Sequence, residues 1–196
     1  MKNILVFSDF ACPFCYLGFS IMEKFHKENP EVKIDFAPAI LNPNETIEGS
    51  DLFDHVPEEV ALQGFKRFES LGEEYGLIYN NKRNRFNTNR LHKAGFYAKE
   101  KNKYFEFAQL GFKYIFEYGK NVGKVETINE IASSIGLDID EMNKFIDSGK
   151  YDNSLIEAAK LAEKYQIDSV PTFIVDDVKK PTTLNSYDKF IKELQS

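Results

Sequence analysis

An α/β fold is predicted for this 196-residue chain by two observations. Strand-like and helix-like patterns alternate at both ends, β-α-β at the start and α-β-β-α at the finish, with about a hundred mostly helical residues between them. The stretch Cys12-Pro13-Phe14-Cys15 falls where the first strand gives way to the first helix. A C-x-x-C pair at such a junction is the signature of a thioredoxin-like redox site.

The elements follow in order. Ile4-Leu5-Val6-Phe7 forms the apolar centre of a buried strand over residues 3–8. Phe14, Leu17, Ile21 and Phe25 recur at helical spacing from a start near Pro13. Asn29-Pro30 ends that helix, because proline disfavours helical geometry at the residue before it. Val32, Ile34 and Phe36 alternate with charged residues and give a second strand, so the opening unit predicts a parallel pair. Residues 38–57 are turn-rich and polar and read as a long loop, after which nearly everything to about Tyr165 reads as helix.

Within that block Ala61, Phe65, Phe68 and Tyr75 form one stripe, closed by Gly76 in a C′ position. A second helix runs over roughly residues 88–100. A third carries Phe105, Ala108, Phe112 and Ile115 on its inner face, with Phe107, Tyr114 and Tyr118 flanking, and is most simply the core of the block. Thr127-x-x-Glu130 reads as the capping box of a fourth, ended by Gly136-Leu137, and Asp138 caps a fifth. Ser154-x-x-Glu157 opens a sixth, with Leu155, Ala158, Ala159 and Ala162 turned inward. A proline-led strand over residues 170–175, a weak strand at 182–185 and a helix over 187–194 complete the chain. The expected organisation is a discontinuous α/β domain, residues 1–55 and 160–196, holding an inserted helical domain, residues 56–159; that the first is thioredoxin-like is what the family resemblance given below implies.

A chain of this length buries its core without covalent staples. With only two cysteines, both in one motif, the pair is chemical rather than architectural. The net charge of −6 argues against nucleic acid as a partner. No apolar run is long enough to span a membrane and no signal peptide is visible, so a cytoplasmic protein is expected. Zinc is not expected, since His26, His55 and His92 show no ligand-like spacing. The basic run Lys82-Arg83-Asn84-Arg85, with Arg90 and Lys93 beyond, reads as a solvated loop rather than a nucleic-acid patch.

Three blocks resemble the DsbA family of thioredoxin-like oxidoreductases, and within it the FrnE-like cytosolic branch. They are Asp9-x-x-Cys12-Pro13-Phe14-Cys15-Tyr16-x-Gly18, Asn87-Thr88-x-x-x-His92, and Ala162-x-x-Tyr165-x-Ile167-x-Ser169-Val170-Pro171-Thr172-Phe173. The resemblance covers essentially the whole chain and implies a thioredoxin-like fold with a large helical insertion. Phe14 stands where that branch usually has Trp, Leu91 where it often has Ala, and Ser169 where it commonly has Gly. The turn after the last strand is represented only by Pro181-Thr182-Thr183-Leu184.

The thiolate is the attacking species in disulfide exchange. Cys12, at a helix N-terminus, is the expected nucleophile, because unpaired N–H groups and the helix dipole there favour an anion. Pro13 suits the first helical turn. Neither Pro13 nor Phe14 offers the Cys12 sulfur a side-chain hydrogen bond, so tuning is expected from backbone amides and the dipole. Cys15, one turn on, is the expected resolving thiol. The resemblance implies that Val170-Pro171 is a cis bond facing the cysteines and that, with Thr172, it forms a substrate-docking loop.

Asp9 is open to three readings: proton transfer to Cys15, opposition to the Cys12 thiolate, or a solvated acid at the strand end. Asn87 and His92 acquire a site-facing, substrate-binding role from the resemblance, whereas a lone helical histidine is more often structural. The expected activity is thiol–disulfide exchange with protein or small-molecule thiol substrates and an electron donor or acceptor yet to be identified. No cofactor is expected beyond the cysteine pair, with glutathione a candidate co-substrate. Two rivals stand beside it: a glutathione-dependent isomerase or kappa-class-like glutathione transferase, and a chaperone-like binding protein.

Overall fold

Strand β1 (Asn3–Ser8) is central, and the chain returns to it from both directions. The computed structural model describes residues 2–80 and 84–196. After β1 come α1 (Pro13–Glu28), β2 (Lys33–Pro38), β3 (Ser50–Asp51) and α2 (Glu58–Gly72). Then follow β4 (Asn84–Arg85), α3 (Asn89–Glu100), α4 (Tyr104–Phe116), α5 (Val125–Ser134), α6 (Ile139–Asp147) and α7 (Asp152–Lys164). The chain closes with β5 (Thr172–Val175), β6 (Val178–Lys180) and α8 (Tyr187–Gln195).

Four strands form one sheet in the order β2-β1-β5-β6. β1 and β2 are parallel, with Ile4 opposite Ile34, as the β-α-β pattern predicts. β5 returns antiparallel to β1, pairing Val6 with Phe173, and β6 folds back on β5. Strand periodicity then sorts the side chains. Ile4, Val6, Phe173 and Val175 join the large core that includes α1 and α8, where the Phe173 and Phe190 rings lie 4.8 Å apart. Phe7, Ala37 and Ile174 join the smaller core that holds Ala158 of α7. α1 is thus covered nearly all round, burying Cys15, Tyr16, Leu17, Phe19, Ile21, Met22 and Phe25.

The helical block meets this sheet layer through aromatic contacts. Phe112 of α4 lies 4.9 Å from Phe10, 5.4 Å from Tyr16 and 5.6 Å from Phe19, centroid to centroid. Gly111 permits that approach: a β-carbon there would stand 2.9 Å from the Phe10 ring. The buried face of α4 comprises Phe107, Ala108, Gly111, Phe112 and Ile115, so the helix is rotated from the expected stripe. Phe105 is only half-buried and stacks on His26, their centroids 4.8 Å apart.

Several boundaries differ from expectation. Residues 76–80 and 84–88 lie outside helix within the expected helical block, and Asn84–Arg85 pairs with Ser50–Asp51 inside the expected long loop. Both expected capping boxes lie within helices. α5 begins at Val125, two residues before Thr127, and α7 begins at Asp152, two before Ser154. In each case the preceding turn delivers the chain early. The Asn121 side chain accepts from the Gly123 amide at 2.8 Å, and Gly149, at φ 77°, ends α6 only three residues ahead of α7. Two other signals behave as read: the Asp138 carboxylate accepts the Glu141 amide, and Gly136 (φ 69°) sits in a left-handed C′ position. Gly76 (φ 64°) is left-handed too, but it caps a short 3-10 turn, Glu73–Tyr75, because α2 itself ends at Gly72.

The final strand is Val178–Lys180 rather than 182–185. Asp176 (φ 46°) and Asp177 (φ 68°) make a two-residue turn in the left-handed region, which aspartate tolerates, so β6 starts at once. Ala159 of α7 is exposed rather than inward, because it faces a cavity described below. Lys82 and Arg83 lie outside the described residues. Arg85 pairs with Glu45, Arg90 with Asp147 and Lys93 with Asp152.

Candidate active site

Cys12 is the N-cap of α1, with extended backbone (φ −97°, ψ 117°), and Pro13 begins the helix. The Cys12 carbonyl accepts the Cys15 and Tyr16 amides at 3.0 and 3.3 Å, closing the first turn beneath it. Cys12 is 6% exposed and Cys15 1%, and both are free thiols. The Cys15 thiol, donating toward the Cys12 sulfur, is the largest influence holding Cys12 below the ordinary thiol range. Burial works against it, the Cys15 and Phe14 amides assist, and the Asp9 charge opposes. Burial first, and then the Cys12 sulfur, push Cys15 well above that range. Backbone amides therefore contribute as expected, but the partner thiol outweighs them.

Asp9 is not a solvated strand-end acid; it is wholly buried. Its Oδ1 accepts from Thr88 Oγ1 at 2.8 Å, from His92 Nε2 at 3.0 Å and from the Ala11 amide at 3.2 Å. Its Oδ2 accepts the Leu41 amide at 2.8 Å. Burial alone would raise its pKa, yet the His92 bond and charge, the Leu41 amide and the Thr88 hydroxyl together hold the carboxyl below the usual range. The Asp9 amide, in turn, points at Cys15 Sγ, 3.5 Å away. One carboxylate thus joins the end of β1, the loop after β2 and the first turn of α3, directly under the dithiol. Thr88 and His92 reach it together because residues four apart share a helix face.

On the other side of the cysteines runs the loop before β5. The Val170-Pro171 bond is cis, and the Val170 carbonyl faces Cys12 Sγ at 3.6 Å. Gly18 of α1 lets the loop approach: a β-carbon there would stand 3.0 Å from Pro171 Cγ. The Thr172 hydroxyl is spent within the loop, donating to the Ser169 carbonyl at 2.6 Å. Phe14 turns toward α2, its ring edge-on to Phe68 at 4.4 Å, with the Arg67 guanidinium 5.3 Å from its centroid.

The structure therefore gathers Asp9, Cys12, Pro13, Phe14, Cys15, His92, Val170 and Pro171 around one pair of sulfurs. Asn87 serves the backbone instead. Its amide nitrogen donates to the Glu45 carbonyl at 2.5 Å and its oxygen accepts the Asn89 amide, fixing the start of α3. Three further contributors lie outside the site residues that the sequence singles out. Thr88 is detectable from its spacing to His92. Leu41 acts through a backbone amide, which leaves no side-chain signal. Tyr79 donates to the Pro13 carbonyl at 3.4 Å, and its phenol is pushed up first by burial and then by the charge at Cys12.

A paired-cysteine redox centre at a strand-to-helix junction, faced by a cis-proline loop, defines a thioredoxin-like dithiol protein as the class. The model of the DSBA-like thioredoxin domain matches residues 3–195, so the chain belongs to that family. It is 27% identical over 183 residues to the uncharacterized protein YwbO of Bacillus subtilis, spanning 91% of this chain and 89% of that one. Among solved structures, a probable DsbA oxidoreductase of Streptomyces coelicolor superimposes with a TM-score of 0.89 at 20% identity, covering 100% of this chain and 89% of the other. The cytosolic disulfide reductase DsbM of Pseudomonas aeruginosa, solved with glutathione, gives 0.75 at 12% identity over 98% and 97% of the two chains. A 2-hydroxychromene-2-carboxylate isomerase gives 0.70 at 17% identity over 91% and 87%. No helix among the described residues is long and apolar enough to cross a membrane.

Proposed function

We propose that this protein is a thiol–disulfide oxidoreductase in which Cys12 attacks and Cys15 resolves. The observation that carries the reading is the placement of the pair: Cys12 caps the start of α1 with its sulfur 3.6 Å from the Val170 carbonyl, and Cys15 is buried one turn behind it, an arrangement that holds Cys12 down and pushes Cys15 up. In the reducing direction the Cys12 thiolate attacks a substrate disulfide, that S–S bond breaks, and the departing substrate sulfur takes up a proton. Cys15 then loses its proton and attacks the Cys12 sulfur. The internal disulfide forms and the second substrate thiol leaves, two electrons having passed to substrate. Oxidation of a substrate dithiol is the same sequence reversed.

An extended substrate segment lies along the Val170–Pro171 loop, where the Val170 carbonyl stands beside the reacting sulfur. Glutathione is the proposed small-thiol co-substrate, supported by the fold shared with a disulfide reductase whose structure contains it. The reading extends to a cytoplasmic protein of the FrnE-like branch, on the strength of the three sequence blocks quoted above. A Cys15→Ser variant is expected to accumulate a mixed disulfide on Cys12, detectable as added mass after incubation with oxidised glutathione. Undiminished exchange by Cys12→Ser would overturn the assignment.

A further inference from the structure

Leu41, on the loop leaving β2, is singled out by three observations. Its amide is clamped by Asp9 Oδ2 at 2.8 Å, so a buried carboxylate fixes its position. Its side chain is nevertheless 51% exposed. It also lines both apolar cavities beside the dithiol. One, of about 420 Å³, is walled by Ala11 and Pro13, the residues either side of Cys12, and by Val60 and Phe65 of α2. The other, of about 410 Å³, lies between the loop after β2, Leu155 and Ala159 of α7, and Val170. Cys12 stands between them: its chain neighbours line the first, and its sulfur contacts the carbonyl of a residue lining the second.

We infer that Leu41 is a specificity-determining residue, the apolar ridge across which an extended polypeptide lies with its cysteine at Cys12 and one apolar side chain in each cavity. This rests on the dithiol reading above. An extended chain turns residues i−2, i and i+2 to the same side, roughly 7 Å apart. The preferred substrate therefore carries apolar residues two positions before and two after its cysteine. A small hydrophobic thiol would fill one cavity and leave the other wet, whereas a strand covers both and can pair its backbone with the Val170 carbonyl. Thr88 and His92, by holding Asp9, place this ridge from the far side of the site.

The test uses heptapeptides whose central cysteine is disulfide-linked to glutathione, mixed with the reduced protein. Each turnover oxidises the Cys12–Cys15 dithiol and releases one peptide thiol and one glutathione. Peptides with leucine at both flanking positions are expected to react about tenfold faster than those with serine at both, and single-leucine peptides at an intermediate rate. Val60→Ser should erase the preference at one flank and Leu155→Ser at the other. Leu41→Ser, or the milder Leu41→Ala, should bring the ratio of leucine to serine peptides close to one. Equal rates for all peptides, with normal reaction of oxidised glutathione, would sink the inference and leave the dithiol reading standing. So would a small aromatic disulfide that gains as much as the doubly flanked peptide. No reaction with any disulfide would remove the dithiol reading itself.

Discussion

His92 Nε2 and Asp9 Oδ1, both buried, stand 3.0 Å apart and join the helical block to the strand that leads to the cysteine pair. The bond is one of four that the carboxylate accepts. Replacing Asp9 by Asn removes the charge and presents an NH2 group to donors, so a loss of about 3 kcal/mol in unfolding free energy is expected by denaturant titration. The Asp9 charge also opposes the Cys12 thiolate. The variant's thiolate absorbance should therefore titrate at lower pH than that of the native protein. A midpoint that stays or rises contradicts the placement of this charge.

Acid stability follows from the same group. Its folded pKa is depressed, so its contribution is complete above the unfolded carboxylate value near 4 and is lost as pH falls through the lowered folded value. Stability plotted against pH should show an acid limb below about pH 4 that is smaller in Asp9→Asn. Identical limbs in both proteins would argue against it.

Removal of Cys15 tests the thiol pair. Because the Cys15 thiol is the largest influence lowering Cys12, Cys15→Ala should raise the Cys12 midpoint, while Cys15→Ser, which keeps a donor, should raise it less. Rates of iodoacetamide labelling against pH read this directly. Equal midpoints in the two variants would mean that the amides dominate after all.

Gly18→Ala should disturb the loop opposite the cysteines, since its β-carbon would press on Pro171 from 3.0 Å. Overpacking of this kind costs about 1–3 kcal/mol. The expected signature is slower exchange with peptide disulfides and lower stability, with little change in the Cys12 midpoint. A normal exchange rate would show that the loop has room to yield.

Phe112→Ala should be among the most damaging core changes, at about 3–5 kcal/mol, because its ring meets Phe10, Tyr16 and Phe19 together. Thermal unfolding measures it. A loss under about 1 kcal/mol would mean that the helical block and the sheet layer are held elsewhere.

The fold is readable from the sequence where local pattern and tertiary packing agree. β1, α1, the parallel return of β2 and the C-x-x-C junction each carry a periodic signal that burial reinforces. The early starts of α5 and α7 show the converse. Thr127 and Ser154 have the right chemistry for caps, but turns at Gly123 and Gly149 bring the chain into helical geometry two residues sooner. β6 departs from its expected position because its turn is built from two aspartates rather than a glycine. At the site, the Cys12–Cys15 pair is legible from its spacing, and Pro171 from the family resemblance. The burial of Asp9 is not, since it depends on donors 32, 79 and 83 positions away, one of them a backbone amide.

Cys12 shows only 6% of its surface, although its sulfur is the atom that the proposed exchange must reach. Its reactivity is thus set by the shape of the reagent as much as by its acidity. Iodoacetamide is expected to label Cys12 faster than a bulky iodoacetamide–dye conjugate that carries the same reactive group. The ratio of the two labelling rates becomes a gauge of how far the loop before β5 opens.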